Sequence, residues 1–241
     1  MARDSLETEK PIALLVSHGQ PSEPDVAEVE IASFRDLVAP HLPDFRVEAV
    51  TLAKRGRLEE MVAVFETRPL VYPVFMTDGW FTQTALPKRF NGAPATFLRP
   101  LGTDPALVDL AVNWLTQELK DRQWYASGTK LIVLGHGSGR SDAPARDTRL
   151  FADRVMEKLP FAELRVGFVE EDPSLEDALG GAGDKAIALP FFATKRGHVL
   201  DDLPEAYEAT AYSGVKLDPI GLHPGVPKMV AASLEAALAD A

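Results

Sequence analysis

A chain of 241 residues is long enough for one large domain or two ordinary ones, each able to bury its own core. Its formal charge of −11 argues against nucleic-acid or anionic-membrane partners, which need a basic surface, and no apolar run approaches a bilayer span. The absence of cysteine removes disulfides, thiolate nucleophiles and cysteine-ligated metal centres, and the charged N-terminal residues do not read as a signal peptide; a soluble, cytoplasmic protein is expected.

The first strand is read at Pro11–Ser17, a continuously apolar run ending in a glycine-containing turn, as in strands buried on both faces. A helix follows over Asp25–Val38, where apolar residues recur every three or four positions. Next come a strand at Phe45–Leu52, a helix at Leu58–Phe65, a strand at Leu70–Met76 and a helix at Phe81–Phe90. A short strand, Thr96–Leu98, precedes a helix at Pro105–Leu119 that opens on proline. Asp121–Thr129, polar and aromatic with one glycine, suits a linker. The order then repeats: strand Lys130–Gly135, helix Ala143–Lys158, strand Glu163–Val169, helix Ser174–Leu179, strand Ala186–Phe192, helix Val199–Thr210, strand Val215–Leu217 and helix Val226–Ala239. This pattern predicts an α/β chain of two similar domains, residues 1–121 and 129–241, each a mainly parallel four-stranded sheet flanked by helices.

Three landmarks say that the repetition is an internal duplication. Leu14-Leu15-Val16-Ser17-His18-Gly19 matches Ile132-Val133-Leu134-Gly135-His136-Gly137, and Tyr72-Pro73-Val74-Phe75 matches Leu189-Pro190-Phe191-Phe192. From His18 to Pro73 is 55 positions and from His136 to Pro190 is 54. Pro100-Leu101-Gly102 and Pro219-Ile220-Gly221 close the two copies. The copies differ in their histidines: the second carries His198 where the first has Phe81, which concentrates chemistry in the C-terminal half.

The architecture places His18 and His136 just after the first strand of each copy and His198 after the third strand of the second. Ligands of open parallel sheets bind beyond the carboxyl ends of the strands, so all three sit at the expected rim. Glycine beside each histidine lets a metal or flat ligand approach the backbone. Strand-end histidines can instead simply cap backbone groups, a reading that weakens for His136 and His198 because the fold brings both to one rim.

Gly135-His136-Gly137-Ser138, Pro173-Ser174-Leu175-Glu176 and above all Gly197-His198-Val199-Leu200-Asp201-Asp202-Leu203-Pro204 resemble the CbiX-type sirohydrochlorin chelatases, in their long, duplicated form. The likeness runs from about Pro11 to Leu238. It implies an enzyme that inserts a divalent metal, Co2+, Fe2+ or Ni2+, into sirohydrochlorin or a close relative in cobalamin or siroheme synthesis. It also implies that His136 and His198 coordinate the incoming metal, and that the doubled chain works as a monomer with its cleft between the two domains.

The chemistry suits these residue types. Insertion needs a site that binds a divalent ion weakly enough to release it and that accepts two pyrrole protons; neutral imidazole does both near pH 7. A carboxylate beside it would take protons and add charge, and Glu170 and Glu171 at the end of the second strand are both candidates. Ala53 and Lys54 stand at that place in the first copy, which therefore reads as a degenerate site that keeps only His18. His18 is a candidate substrate contact, and Trp80 and Phe81 are expected to wall the cleft against a flat macrocycle. Sirohydrochlorin is a polycarboxylate, so Arg140 and Arg196 are candidate anchors, with Arg146, Lys195, Lys88 and Arg89 as further cations. His41 reads as a surface residue at a helix end, and His223, whose counterpart is Asp104, as structural.

Other readings fit less well. Gly135-His136-Gly137-Ser138-Gly139 does not match the G-x-S-x-G turn of serine hydrolases, and no arginine precedes either His-Gly pair, as a histidine phosphatase would need. With no P-loop or G-x-G-x-x-G signature, no nucleotide or organic cofactor is implied; the metal is a substrate. The alternative is a non-catalytic tetrapyrrole- or metal-binding protein of the same fold.

Overall fold

A computed structural model describes residues 10–240. In chain order its elements are β1 (Ile12–Ser17), α1 (Pro24–Val38), β2 (Arg46–Thr51), α2 (Arg57–Ala63), β3 (Leu70–Pro73), α3 (Leu86–Arg89), β4 (Thr96–Phe97) and α4 (Pro105–Asp121). They continue with β5 (Lys130–Gly135), α5 (Ala143–Lys158), β6 (Glu163–Phe168), α6 (Leu175–Leu179), β7 (Ala186–Pro190), α7 (Asp202–Ala209), β8 (Val215–Lys216) and α8 (Val226–Ala239). Two four-stranded sheets result, ordered β2-β1-β3-β4 and β6-β5-β7-β8, with every pairing parallel. The duplicated α/β architecture expected from sequence is therefore present, with the same strand order in both copies. No helix among the described residues is long and apolar enough to cross a membrane.

Sequence dictates which strands are central. β1 and β5 are apolar without alternation because each is flanked by two strands and covered on both faces; Ala13 to Val16 and Leu131 to Leu134 are wholly buried. The edge strands β2 and β6 carry charge instead: Arg46 pairs with Glu48 at 2.8 Å, and Arg165 pairs with Glu163 at 2.6 Å. Such pairs blunt an exposed edge against further strand addition. On one face of the second sheet, Ile132, Leu134, Ala186 and Ala188 pack against Leu175, Leu179, Val199 and Leu203. The alanines let α6 and α7 lie close to the sheet.

Local signals set the helix ends. Ser174 caps α6 by accepting from the Asp177 N–H at 3.1 Å, while Asp177 accepts from the Ser174 N–H at 3.1 Å. Ser174→Ala should cost about 1 kcal/mol of stability in urea denaturation. Two expected helices are modified by proline. Phe81–Phe90 is not one α-helix: Phe81–Ala85 forms a π turn that runs into α3. Pro87 has no N–H to give the Gln83 carbonyl four residues back, and the Thr82 hydroxyl bonds Asp78 and the Gly79 carbonyl, so the ladder widens there. The helix read from Val199 begins at Asp202, after a 3-10 turn at Gly197–Val199. Pro204 then lies in the first helical turn, where no N–H is required.

The repeat is a statement about sequence; the compact units are drawn differently in space. One unit holds β1 to β4 with α1 to α3 and, from Val230 onward, most of α8. The other holds residues 74–85 and 99–229, that is, the second sheet with α4 to α7 and the start of α8. In that second unit the Gly102 N–H donates to the Phe75 carbonyl at 3.0 Å, and the Gly221 N–H repeats the contact with Phe192 at 3.0 Å.

Candidate metal centre

The end of β5 delivers His136 into a tight turn. Gly137 takes a left-handed φ of +69°, and its carbonyl lies 2.9 Å from His136 Nδ1. A carbonyl oxygen only accepts, so Nδ1 carries the hydrogen and Nε2 keeps its lone pair. His198 arrives from the 3-10 turn after β7, and its Nδ1 lies 2.8 Å from Asp202 Oδ2, which leaves Nε2 as the open ligand atom there too. The two rings stand edge to face with centroids 4.6 Å apart. Glu170, just past β6, is fixed by its N–H donating to the His136 carbonyl at 2.9 Å, and its Oε2 lies 3.9 Å from His136 Nδ1.

One ligand atom each from His136, Glu170 and His198 fall within 4.8 Å of one another. The side chains are 44%, 47% and 39% exposed respectively, so a hydrated ion can reach them. Two imidazoles and one carboxylate suit a divalent first-row metal and leave coordination positions open, as a site that must give its ion away requires.

Glu171 is directed elsewhere. Its Oε2 accepts from the Ser138 N–H at 3.2 Å and its other oxygen lies 3.8 Å from Arg149, whose guanidinium covers Phe168 at 4.7 Å. A Cβ on Gly137 would come within 2.7 Å of Glu171 Cγ, so glycine is needed there for space as well as for backbone angle. The candidate anchors are less concentrated. Arg140 is exposed, its backbone N–H donating to Ser138 Oγ at 3.2 Å, and Arg196 is partly buried just before Gly197. Arg146 bonds Asp147 at 2.9 Å, Lys195 pairs with Asp218 at 2.9 Å, and Lys88 is exposed. Arg89 forks onto Glu59 at 2.6 and 2.8 Å and reaches the Leu52 carbonyl at 2.8 Å, a bracing role within its own unit. Trp80 is 63% exposed and stands edge-on to Phe81 at 5.1 Å.

The first copy keeps the turn without the chemistry. His18 Nδ1 lies 2.6 Å from the Gly19 carbonyl, and Gly19 has the same φ of +69°. The His18 carbonyl accepts from the Ala53 N–H at 2.9 Å, which makes Ala53 the counterpart of Glu170 and Lys54, paired with Asp25, that of Glu171. His41 is exposed at the end of a 3-10 turn. His223 caps the approach to α8, accepting from the Gly225 N–H at 3.0 Å with Trp114 against its ring, while its counterpart Asp104 caps α4 by accepting from Ala106 at 3.0 Å. Burial holds the His223 pKa below 6.5, so the unfolded chain protonates first. Its contribution to stability is full above about pH 6.5 and is lost as pH falls through the lowered folded value. Replacing it with asparagine, also a capping residue, should flatten that part of the profile of denaturation midpoint against pH.

Two residues escaped the sequence reading. Asp202 lies four positions after His198, a spacing that faces one side of a helical turn and could have flagged it. Asp147 gave no signal: only 4% exposed, it accepts from the Asp78 N–H at 2.7 Å and from Arg146, across 69 positions of sequence. It fastens the segment that carries Trp80 to α5. Asp147→Ala should cost about 2 kcal/mol in urea denaturation, because it leaves a part-buried N–H without its charged acceptor.

Comparison with known proteins bears on the family and the fold. The family model described as CbiX matches residues 130–237. A solved structure of CbiX, the terminal enzyme for biosynthesis of siroheme in denitrifying bacteria, is 39% identical with a TM-score of 0.83, covering 93% of this chain and 98% of that one. SirB from Bacillus subtilis, solved with Fe3+, shares the fold at 18% identity and a TM-score of 0.74, with 96% of each chain covered. A curated protein named probable sirohydrochlorin cobaltochelatase, from Halobacterium salinarum, is 24% identical over 162 residues, 56% of this chain. The chain spans about half, 55%, of that relative's length.

Proposed function

The chain belongs to the CbiX family, and on that premise we propose that it inserts a divalent metal, Co2+ or Fe2+, into sirohydrochlorin. The observation that supports this reading is the convergence of one ligand atom each from His136, Glu170 and His198, with the Nδ1 atoms of both histidines at hydrogen-bond distance from acceptors and Nε2 left to carry the lone pair. The ion is held as substrate by these three groups and passes to the ring, whose two inner N–H protons leave as the ring nitrogens take the metal. Glu170 accepts protons and offsets the ion's charge; a positioned base of this kind contributes about 10²–10⁴-fold. Glu171 supports the reaction at one remove, by holding the Ser138 turn. Trp80, Arg140, Arg196 and His18 are proposed to contact the macrocycle and its carboxylates. The chain is proposed to act as a cytoplasmic monomer, with no organic cofactor.

Anaerobic incubation with Co2+ or Fe2+ and sirohydrochlorin, followed by visible absorbance, tests the proposal. Insertion well above the spontaneous rate with at least one metal is expected. Ring binding without acceleration by either metal would overturn it in favour of a non-catalytic tetrapyrrole-binding protein.

A further inference from the structure

The two copies form a comparison within one molecule. Matching His198 to Phe81 matches Asp202 to Ala85 and leaves Leu203-Pro204 facing Leu86-Pro87. The copy that lacks the histidine thus lacks the carboxylate four residues on, while its Leu-Pro pair is still helical, entered through a π turn and not a 3-10 turn. A carboxylate at this place is therefore not needed for the Leu-Pro pair to be helical, and the presence of Asp202 follows that of His198. Its Oδ2 lies 2.8 Å from His198 Nδ1, and its side chain is 41% exposed.

We propose that Asp202 is a positioning residue for the metal: it fixes His198 in the tautomer with hydrogen on Nδ1 and aims Nε2 at the ion. This rests on the metal site described above. A metal-bound imidazole commonly donates its other N–H to a carboxylate, and the orientation is otherwise left to a ring free to rotate at the rim of the site. His136 needs no such carboxylate, because the Gly137 carbonyl already holds its Nδ1. The two histidines are thus fixed by different acceptors, one on the backbone and one on a side chain, and only the second can be removed by substitution.

The test uses the full chain and Co2+ alone, read by its visible d–d absorbance, beside sirohydrochlorin binding by fluorescence quenching and the rate of insertion. Asp202→Asn and Asp202→Ala are expected to weaken Co2+ binding about 10–100-fold and to lower insertion in parallel. Ring affinity and circular dichroism should be unchanged, and Asp202→Glu should recover part of the loss. A helix-terminus role alone would move thermal stability and leave the Co2+ spectrum and affinity as they were. Native Co2+ affinity in Asp202→Asn and Asp202→Ala, with binding still lost in His198→Ala, would overturn the proposal and leave the metal site standing. Undiminished Co2+ binding in His198→Ala would remove both.

Discussion

Replacing His198 or His136 with alanine is expected to lower metal insertion by at least about 100-fold, the upper end of what loss of an outer partner of a ligand costs. Each substitution removes one of two nitrogen donors from a three-donor site, and three donors are few for an ion that must be drawn out of water. The effects should not add. With either imidazole gone the ion is no longer held against the ring, so the double variant should be little slower than the worse single one. Glu170→Gln keeps an oxygen donor and loses the charge and the proton acceptor, so it should reduce turnover more than Co2+ affinity. His18→Ala serves as the internal comparison: its turn has the same shape, but Ala53 stands where Glu170 would be, so Co2+ affinity should remain native. Stopped-time absorbance of the metallated ring decides these points. Full activity in His136→Ala would move the reaction away from this site.

The largest effect on stability is expected from one carbon atom. A Cβ added to Gly102 would lie 1.9 Å from the Met76 carbonyl oxygen and 2.5 Å from its carbon. Both are backbone atoms, so no side chain can swing aside; the segment beginning at Val74 would have to move. Overpacking ordinarily costs about 1–3 kcal/mol, and a collision with main chain at this distance should exceed that range. Gly221→Ala repeats the clash in the second copy, with Ala193 backbone atoms at 2.5 and 2.6 Å, and should rank next. Gly128→Ala, with nothing within 4 Å, should be nearly neutral. Urea midpoints at constant slope measure the series. A Gly102→Ala midpoint equal to that of Gly128→Ala would show that the segment yields freely.

The strands were legible because burial on both faces leaves no polar alternation to interpret: Leu14 to Val16 and Leu131 to Leu134 announce themselves. Helix positions followed from apolar spacing, but their detailed ends did not. Pro87 and Pro204 lie near the starts of helices, and a proline there permits a regular first turn or a widened one, which side chains such as Thr82 decide. At the site, His136 and His198 could be placed together because both follow strands that are neighbours of a parallel pair. Sequence left Glu170 and Glu171 as equals, since adjacent residues at a strand end point to opposite sides. What separates them is the Glu170 N–H on the His136 carbonyl and the Glu171 carboxylate on Ser138, contacts that reach across 34 and 33 positions. Asp147 was out of reach for the same reason: its partner Asp78 belongs to the other copy of the sequence.

That last exchange is one of several. Helix α4, written in the first copy, belongs to the compact unit of the second sheet, and α8, written in the second copy, gives most of its length to the unit of the first. A fragment starting at the linker would carry His136, Glu170 and His198 and yet lack the helix that lies along α5, together with the aromatic segment that Asp147 fastens. Such a fragment could make good the loss only by borrowing from another polypeptide. The doubled chain carries both lenders and both borrowers on one strand of peptide.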